Sequence, residues 1–228
     1  MKTAGMIERR SFIRNVALLS VTSGLSLKTG SITQKEEEGV TPAEDLMREH
    51  GVLSRILLIY DTCRQKLSDN QDFDMKILSN SARIVRSFVE DYHEKLEEDF
   101  IFPRFSKADK LKDLVNVLKN QHEAGRRLTD PILKLDARPT SDKKNEVIRL
   151  LADFGKMYRP HKSREDTVLF PAMKEIIPEK EYLELGEKFE DKENELFGEK
   201  GFESVVAKVE DLEKQLNIFD LAQFTPSK

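Results

Sequence analysis

Apolar residues recur along this chain at steps of three and four, the period of a helix that buries one face, in four long stretches. The first opens at Thr41-Pro42-Ala43-Glu44, which has the form of a helix start: a Thr N-cap, Pro at the first helical position and Glu three residues after the cap. Its stripe Leu46, His50, Leu53, Leu57 and Tyr60 predicts a helix to about Ser68. The second stretch begins near Asp72 and carries Val85, Val89, His93, Glu97 and Phe100. The third, from about Asp109, carries Leu111, Val115, Leu118, His122 and Gly125. The fourth, from about Ser141, carries Val147, Leu151, Phe154, Tyr158, His161, Glu165 and Val168. Connections of a few residues make sequential neighbours antiparallel, so the expected fold class is all-α, an up-down-up-down four-helix bundle. Pro160 removes a backbone donor just before His161 and predicts a kink or loosening there.

The rest of the chain divides around this bundle, expected over residues 41–178. Residues 179–228 read as a C-terminal helical extension packed on it, with Leu183, Leu185, Phe189 and Phe197 before a break at Gly198 and Gly201, then Val205, Val206, Val209, Leu212 and Leu216. The tail Asp220-Leu221-Ala222-Gln223-Phe224-Thr225-Pro226 is apolar enough to dock on the body. Residues 1–40 read as an export signal and a polar linker. Arg9-Arg10-Ser11-Phe12-Ile13-Arg14 leads into a mildly apolar run, Val16 to Leu27, too short for a stable membrane span. This resembles a twin-arginine signal, R-R-x-F-[LI]-[KR], and the resemblance implies export to the periplasm. The alternative is an amphipathic arm on a cytoplasmic protein.

Composition narrows the chemistry. With 35% charged and 7% aromatic residues, 10 Gly and 8 Pro, the chain suits helices better than sheets. A net charge of −4 with both signs interspersed gives no footprint for nucleic acid. The single cysteine, Cys63, allows neither an internal disulfide nor a thiolate cluster and reads as a packing residue, so a metal site must be built from imidazole and carboxylate.

All four histidines fall on the apolar stripes, and a phrase repeats around two of them. His93 to Pro103 and His161 to Pro171 both read H-x-x-x-E-[ED]-x-x-x-F-P. A histidine and a glutamate at i and i+4 share one helix face. A carboxylate on an apolar stripe costs several kcal/mol unless it is paired or binds a metal. Four imidazoles and two carboxylates are too many groups for one four-coordinate zinc. They suit two ions sharing bridging carboxylates, and imidazole favours iron over manganese. Glu98 and Asp166 follow the motif glutamates by one residue, which turns them off this face; they orient neighbouring histidines or are solvated. Tyr158 is a candidate pocket residue, donating to a bound oxygen species or filling the core. Tyr92 points off the stripe, outside the pocket.

With His50, His93-x-x-x-Glu97, His122 and His161-x-x-x-Glu165 on successive helices, residues 41–178 resemble the hemerythrin-like HHE cation-binding family. The resemblance implies a non-haem di-iron centre with Glu97 and Glu165 as bridging carboxylates and His50, His93, His122 and His161 as terminal ligands. The oxygen-carrying hemerythrins use a fifth histidine and an aspartate that this sequence does not have. The four-His, two-Glu set is closer to di-iron proteins of iron–sulfur cluster repair and nitric oxide stress. The expected function is binding or reduction of oxygen, nitric oxide or hydrogen peroxide, with an electron donor still to be identified. The alternative is a non-catalytic iron-binding or oxygen-sensing module.

Overall fold

The computed structural model describes residues 40–226, and the twin-arginine stretch and most of the linker lie outside them. Every regular element among the described residues is helical. Helix α1 spans Pro42–Ser68 and starts as expected: Thr41 accepts from the Glu44 amide while Glu44 reaches back to the Thr41 N–H. Helix α2 covers 76–107, α3 spans Lys112–Ile132 and α4 covers 141–176. Helix α2 starts later than Asp72 because the Asp74 carboxylate caps the Lys76 amide at 2.9 Å. Helix α3 starts later than Asp109 because Asp109 and Leu111 take positive φ, 54° and 52°, before the helix begins. Helix α1 packs against α2 and α4, and α3 packs against the same two, which closes a four-helix bundle.

Helices α2 and α4 are not uniform. Helix α2 is π-helical over Val85–His93, and each helix widens to a π-turn ahead of its Phe-Pro, at Glu97–Ile101 and at Glu165–Leu169, where the amide of the following phenylalanine reaches back five residues: Phe102 to the Glu97 carbonyl, Phe170 to that of Glu165. Next in each copy comes a proline, Pro103 or Pro171, which lacks an amide and whose ring crowds the preceding turn. Widening the turn relieves that crowding, so the repeated Phe-Pro is the sequence mark of two π-turns. A π-turn adds a residue to its turn and moves the buried stripe one place along. Ile101 and Leu169 are therefore buried where the period had placed Phe100 and Val168, which are only half-buried. The loosening expected at Pro160 is absent there: α-helical structure runs through it to Arg164, and the wide turn begins at Glu165.

Helices α5, Glu179–Phe197, and α6, Gly201–Gln215, break at Gly198 as expected, with φ of 81°. They lie against α1, tied by a bidentate Arg55–Glu213 pair at 2.9 and 2.5 Å. Arg104 of α2 binds Glu181 of α5 at 2.6 Å. The tail departs from expectation. Leu221–Phe224 forms a short 3₁₀ turn with no buried residue, held by the Asp220 carboxylate on the Ala222 amide, and it does not dock. Cys63 is buried in the core. No helix among the described residues is long and apolar enough to cross a membrane.

Candidate metal centre

The stripes of the four bundle helices converge on His50, His93, Glu97, His122, His161 and Glu165, all buried, with both glutamates at 0% exposure. Every side chain singled out from the sequence as a ligand is in this cluster. Glu97 sets Oε1 3.8 Å from His93 Nε2 and Oε2 3.3 Å from His122 Nε2. Glu165 sets Oε1 3.1 Å from His161 Nε2 and Oε2 3.4 Å from His50 Nε2. Each carboxylate thus spans two histidines on different helices, one oxygen to each. The Nε2 atoms of His50 and His93 lie 3.1 Å apart.

Outside this inner set runs a ring of hydrogen bonds from Nδ1 atoms. His93 bonds Glu49 of α1 at 2.7 Å, His122 bonds Glu98 of α2 at 3.0 Å, His161 bonds Gln121 of α3 at 2.9 Å, and His50 bonds Asp166 of α4 at 2.6 Å. Each helix therefore orients the histidine of the next, and the fourth closes on the first. Because these acceptors require Nδ1–H, an imidazole that is neutral turns its Nε2 lone pair inward, and His50, which holds a second proton, does so once that proton leaves. Glu98 and Asp166 orient histidines, one of the two roles open from the sequence. Glu49 and Gln121 escaped the sequence reading; the available signal was that each immediately precedes a histidine, His50 and His122.

Tyr158 is buried on its predicted stripe, but its hydroxyl donates to Glu94 at 2.9 Å rather than into the inner cluster. Its ring lies edge-on to His161, 5.7 Å between centroids. Arg126 then joins Glu94 at 2.8 Å to Glu98 at 2.7 Å, so Tyr158 belongs to the scaffold behind His122. Tyr92 faces α5, where its hydroxyl donates to the Phe189 carbonyl at 3.4 Å.

Burial dominates the electrostatics of the cluster. Burial, with Glu165 beside it, drives Glu97 well above the carboxylate range. Burial acts the same way on Glu165, but His161 and His50 outweigh it and hold it low. Burial also opposes charge on His50, yet its bond to Asp166 and the Glu165 carboxylate 3.4 Å from its Nε2 push it up to about 9. Burial pushes His122 down to about 4, against the pull of Glu98 and with His161 adding to the fall. The inner oxygens of Glu97 and Glu165, and His122 Nε2, have no hydrogen-bond partner among the described residues. Leaving a buried carboxylate unmatched costs several kcal/mol, about 3–5.

A metal ion meets that need. Donor atoms about 3 Å apart are what neighbouring ligands show around an ion with bonds of about 2.1 Å. The inner atoms form two overlapping groups able to hold a cation, Glu97 with His122, His161 and Glu165, and Glu97 with His50 and His93. Two further such groups lie outside them, Glu94 with Glu98 and His122, and Asp45 with Glu49 and Glu193 behind His93.

Comparison with known proteins agrees with this geometry. The chain is 42% identical over 229 residues to Uncharacterized protein Mb2018 of Mycobacterium bovis and to Uncharacterized protein Rv1995 of Mycobacterium tuberculosis, covering 97% of this chain and 90% of each relative. No solved structure matches it. Residues 41–173 match the Hemerythrin HHE cation binding domain, and the chain belongs to that family.

Proposed function

We propose that this protein holds a non-haem di-iron centre and uses it to bind or reduce a small diatomic or peroxide. One observation carries the reading: two fully buried glutamates whose four inner oxygens have no hydrogen-bond partner among the described residues, each oxygen lying 3.1–3.8 Å from an imidazole Nε2. In this reading Glu97 and Glu165 would be shared between two ions, His50 and His93 would help hold one, and His122 and His161 the other. Four protein donors per ion leave positions open for an exogenous ligand, and iron there supplies electrons and a Lewis-acidic site. The protein's own part is to fix the imidazoles by their Nδ1 bonds and to keep bulk water out of a fully buried cluster. To hold iron, His50 would give up its second proton and Glu97 any proton it carries, so uptake would be accompanied by proton release.

Metal analysis of the purified protein is expected to return two irons per chain, and zinc or no metal would sink the reading. Stopped-flow spectra of the reduced protein mixed with oxygen, nitric oxide and peroxide then choose between chemistries. Repeated turnover with one of them supports reduction, whereas a single stoichiometric oxidation favours a sensing or storage module.

Export by the twin-arginine route is also proposed, from Arg9, Arg10, Phe12, Ile13 and Arg14. Arg9→Lys/Arg10→Lys is expected to leave the protein in the cytoplasm on fractionation, and periplasmic recovery of that variant would reject the route.

A further inference from the structure

The ring of hydrogen bonds around the histidines is unequal in charge. His50, His93 and His122 turn Nδ1 to carboxylates, whereas His161 turns it to the neutral amide oxygen of Gln121. The carboxylates are unequal too. Glu98, behind His122, also binds Arg126 at 2.7 Å and pairs with Lys95, so two cations draw on its charge. Glu49, behind His93, stands within 4.8 Å of the buried acids Asp45 and Glu193, and its Oε1 has no hydrogen-bond partner among the described residues. The His50/His93 half of the centre is thus backed by two carboxyl groups with further acid behind them; Glu49, pushed up to about 8 by burial in the metal-free protein, carries its charge once His93 holds a cation. The His122/His161 half is backed by one carboxylate shared with two cations, and by one amide.

A charged acceptor at Nδ1 gives the imidazole anionic character and makes its Nε2 a stronger donor to a metal. Negative charge nearby stabilises the higher oxidation state, and in a buried site that effect is weakly screened. We infer that Gln121 marks the half of the centre that is reduced first: the iron held by His122 and His161 accepts the first electron, while that held by His50 and His93 stays ferric. This rests on the di-iron reading above. The step is transfer of one electron from an external one-electron donor to one ferric ion, which becomes ferrous; no bond to the protein forms or breaks.

The test is a redox titration of the iron-loaded full chain with dithionite and mediators, followed by EPR of the half-reduced state and by Mössbauer spectroscopy. Iron analysis comes first: fewer than two irons per chain overturns both this inference and the di-iron reading, whereas two irons reduced in the wrong order overturn this inference alone. The wild type is expected to take its electrons in two separate steps. Gln121→Glu, nearly isosteric at a half-buried position, makes the first step at least tenfold less favourable, about 59 mV more negative, and moves the second less. Glu49→Gln makes the second step more favourable and leaves the first in place. A single two-electron step in the wild type, a Gln121→Glu shift confined to the second step, or equal shifts of both steps would reject the assignment. If Gln121→Glu loads no iron, Glu49→Gln decides alone, because a shift of the first step in that variant reverses the order.

Discussion

Glu97→Gln is expected to lose at least tenfold in iron occupancy and, once stripped of metal, to melt higher than the stripped wild type. The two effects have one cause. In the proposed centre the Glu97 carboxylate touches both ions, and an amide cannot bridge them with charge. Without metal, the same carboxylate is buried beside Glu165, and burial and that neighbour raise its pKa far above the ordinary 4.5. A carboxyl group that holds its proton more tightly when folded gives full stability below pH 4.5 and loses it as the pH climbs toward the raised value. The slope is about 1.4 kcal/mol per pH unit for one such group. Glu49, pushed up to about 8 chiefly by burial, acts in the same direction, as does His50, held up at about 9 by Asp166 and Glu165 against its burial. His93 and His122 are depressed by burial and remove stability only when the pH falls below their ordinary 6.5.

Above about pH 6.5, where His93 and His122 no longer offset the raised carboxyl groups and His50 begins to lose its proton, the stripped wild type should therefore weaken steadily toward about pH 9. Glu97→Gln removes one of these contributions, and its amide can donate to Glu165. At neutral pH the gain should be at least about 1 kcal/mol, raising the melting temperature by about 2–4 °C. Calorimetry of stripped proteins across pH, with iron analysis of loaded ones, measures both effects. Glu98→Ala is the control: it keeps both irons at saturating supply and weakens their binding by about 10–100-fold, because Glu98 orients His122 without reaching the inner cluster. A stripped Glu97→Gln protein that melts lower than wild type would show that Glu97 is already satisfied without metal.

Gly125→Ala is expected to be among the most destabilising single changes in α3. A Cβ at Gly125 would sit 2.0 Å from the Tyr158 hydroxyl and 2.7 Å from the ring carbon that bears it. Tyr158 is wholly enclosed and cannot step aside while its hydroxyl stays on Glu94. The substitution therefore adds overpacking, about 1–3 kcal/mol, to an abandoned buried acceptor, about 1–3 kcal/mol. Denaturant unfolding should show a loss of about 2–6 kcal/mol. Tyr158→Phe alone loses only the hydrogen bond, and the double variant should recover part of the Gly125→Ala loss because the nearest clashing atom is gone. Strict additivity of the two single losses would show that they do not meet. The sequence stripe marked Gly125 as a core position, and the reason for a glycine there is a tyrosine from the facing helix.

How far the sequence could be read depended on which contacts lie within one helix. Leu46 to Tyr60, the Thr41 cap and the two His-x-x-x-Glu pairs are set by a single period, so α1 and the inner cluster were legible. The π-turns were not, because a proline announces a missing donor without saying how the turn before it will adjust. Glu49 and Gln121 were missed for a different reason. Each serves a histidine on another helix, and that pairing depends on how neighbouring helices are rotated, which no period within one helix reports. Tyr158 was placed correctly as a core residue, but its hydroxyl direction was settled by Glu94 across the bundle. The tail failed because apolar content gives a reason to be buried and no surface to be buried against.

The ring of Nδ1 bonds also selects a handedness. In α1 and α3 the acceptor comes one residue before the stripe histidine, Glu49 and Gln121; in α2 and α4 it comes one residue after the stripe glutamate, Glu98 and Asp166. One residue turns a helix by about 100°, and the sense of that turn reverses when the chain runs the other way. Before on an ascending helix and after on a descending one therefore face the same way round the bundle. Wound in the opposite sense, the same four helices would bury the same stripes and aim all four acceptors at the wrong neighbour. The apolar pattern alone does not distinguish the two windings, so the polar ring tells the chain which way to turn.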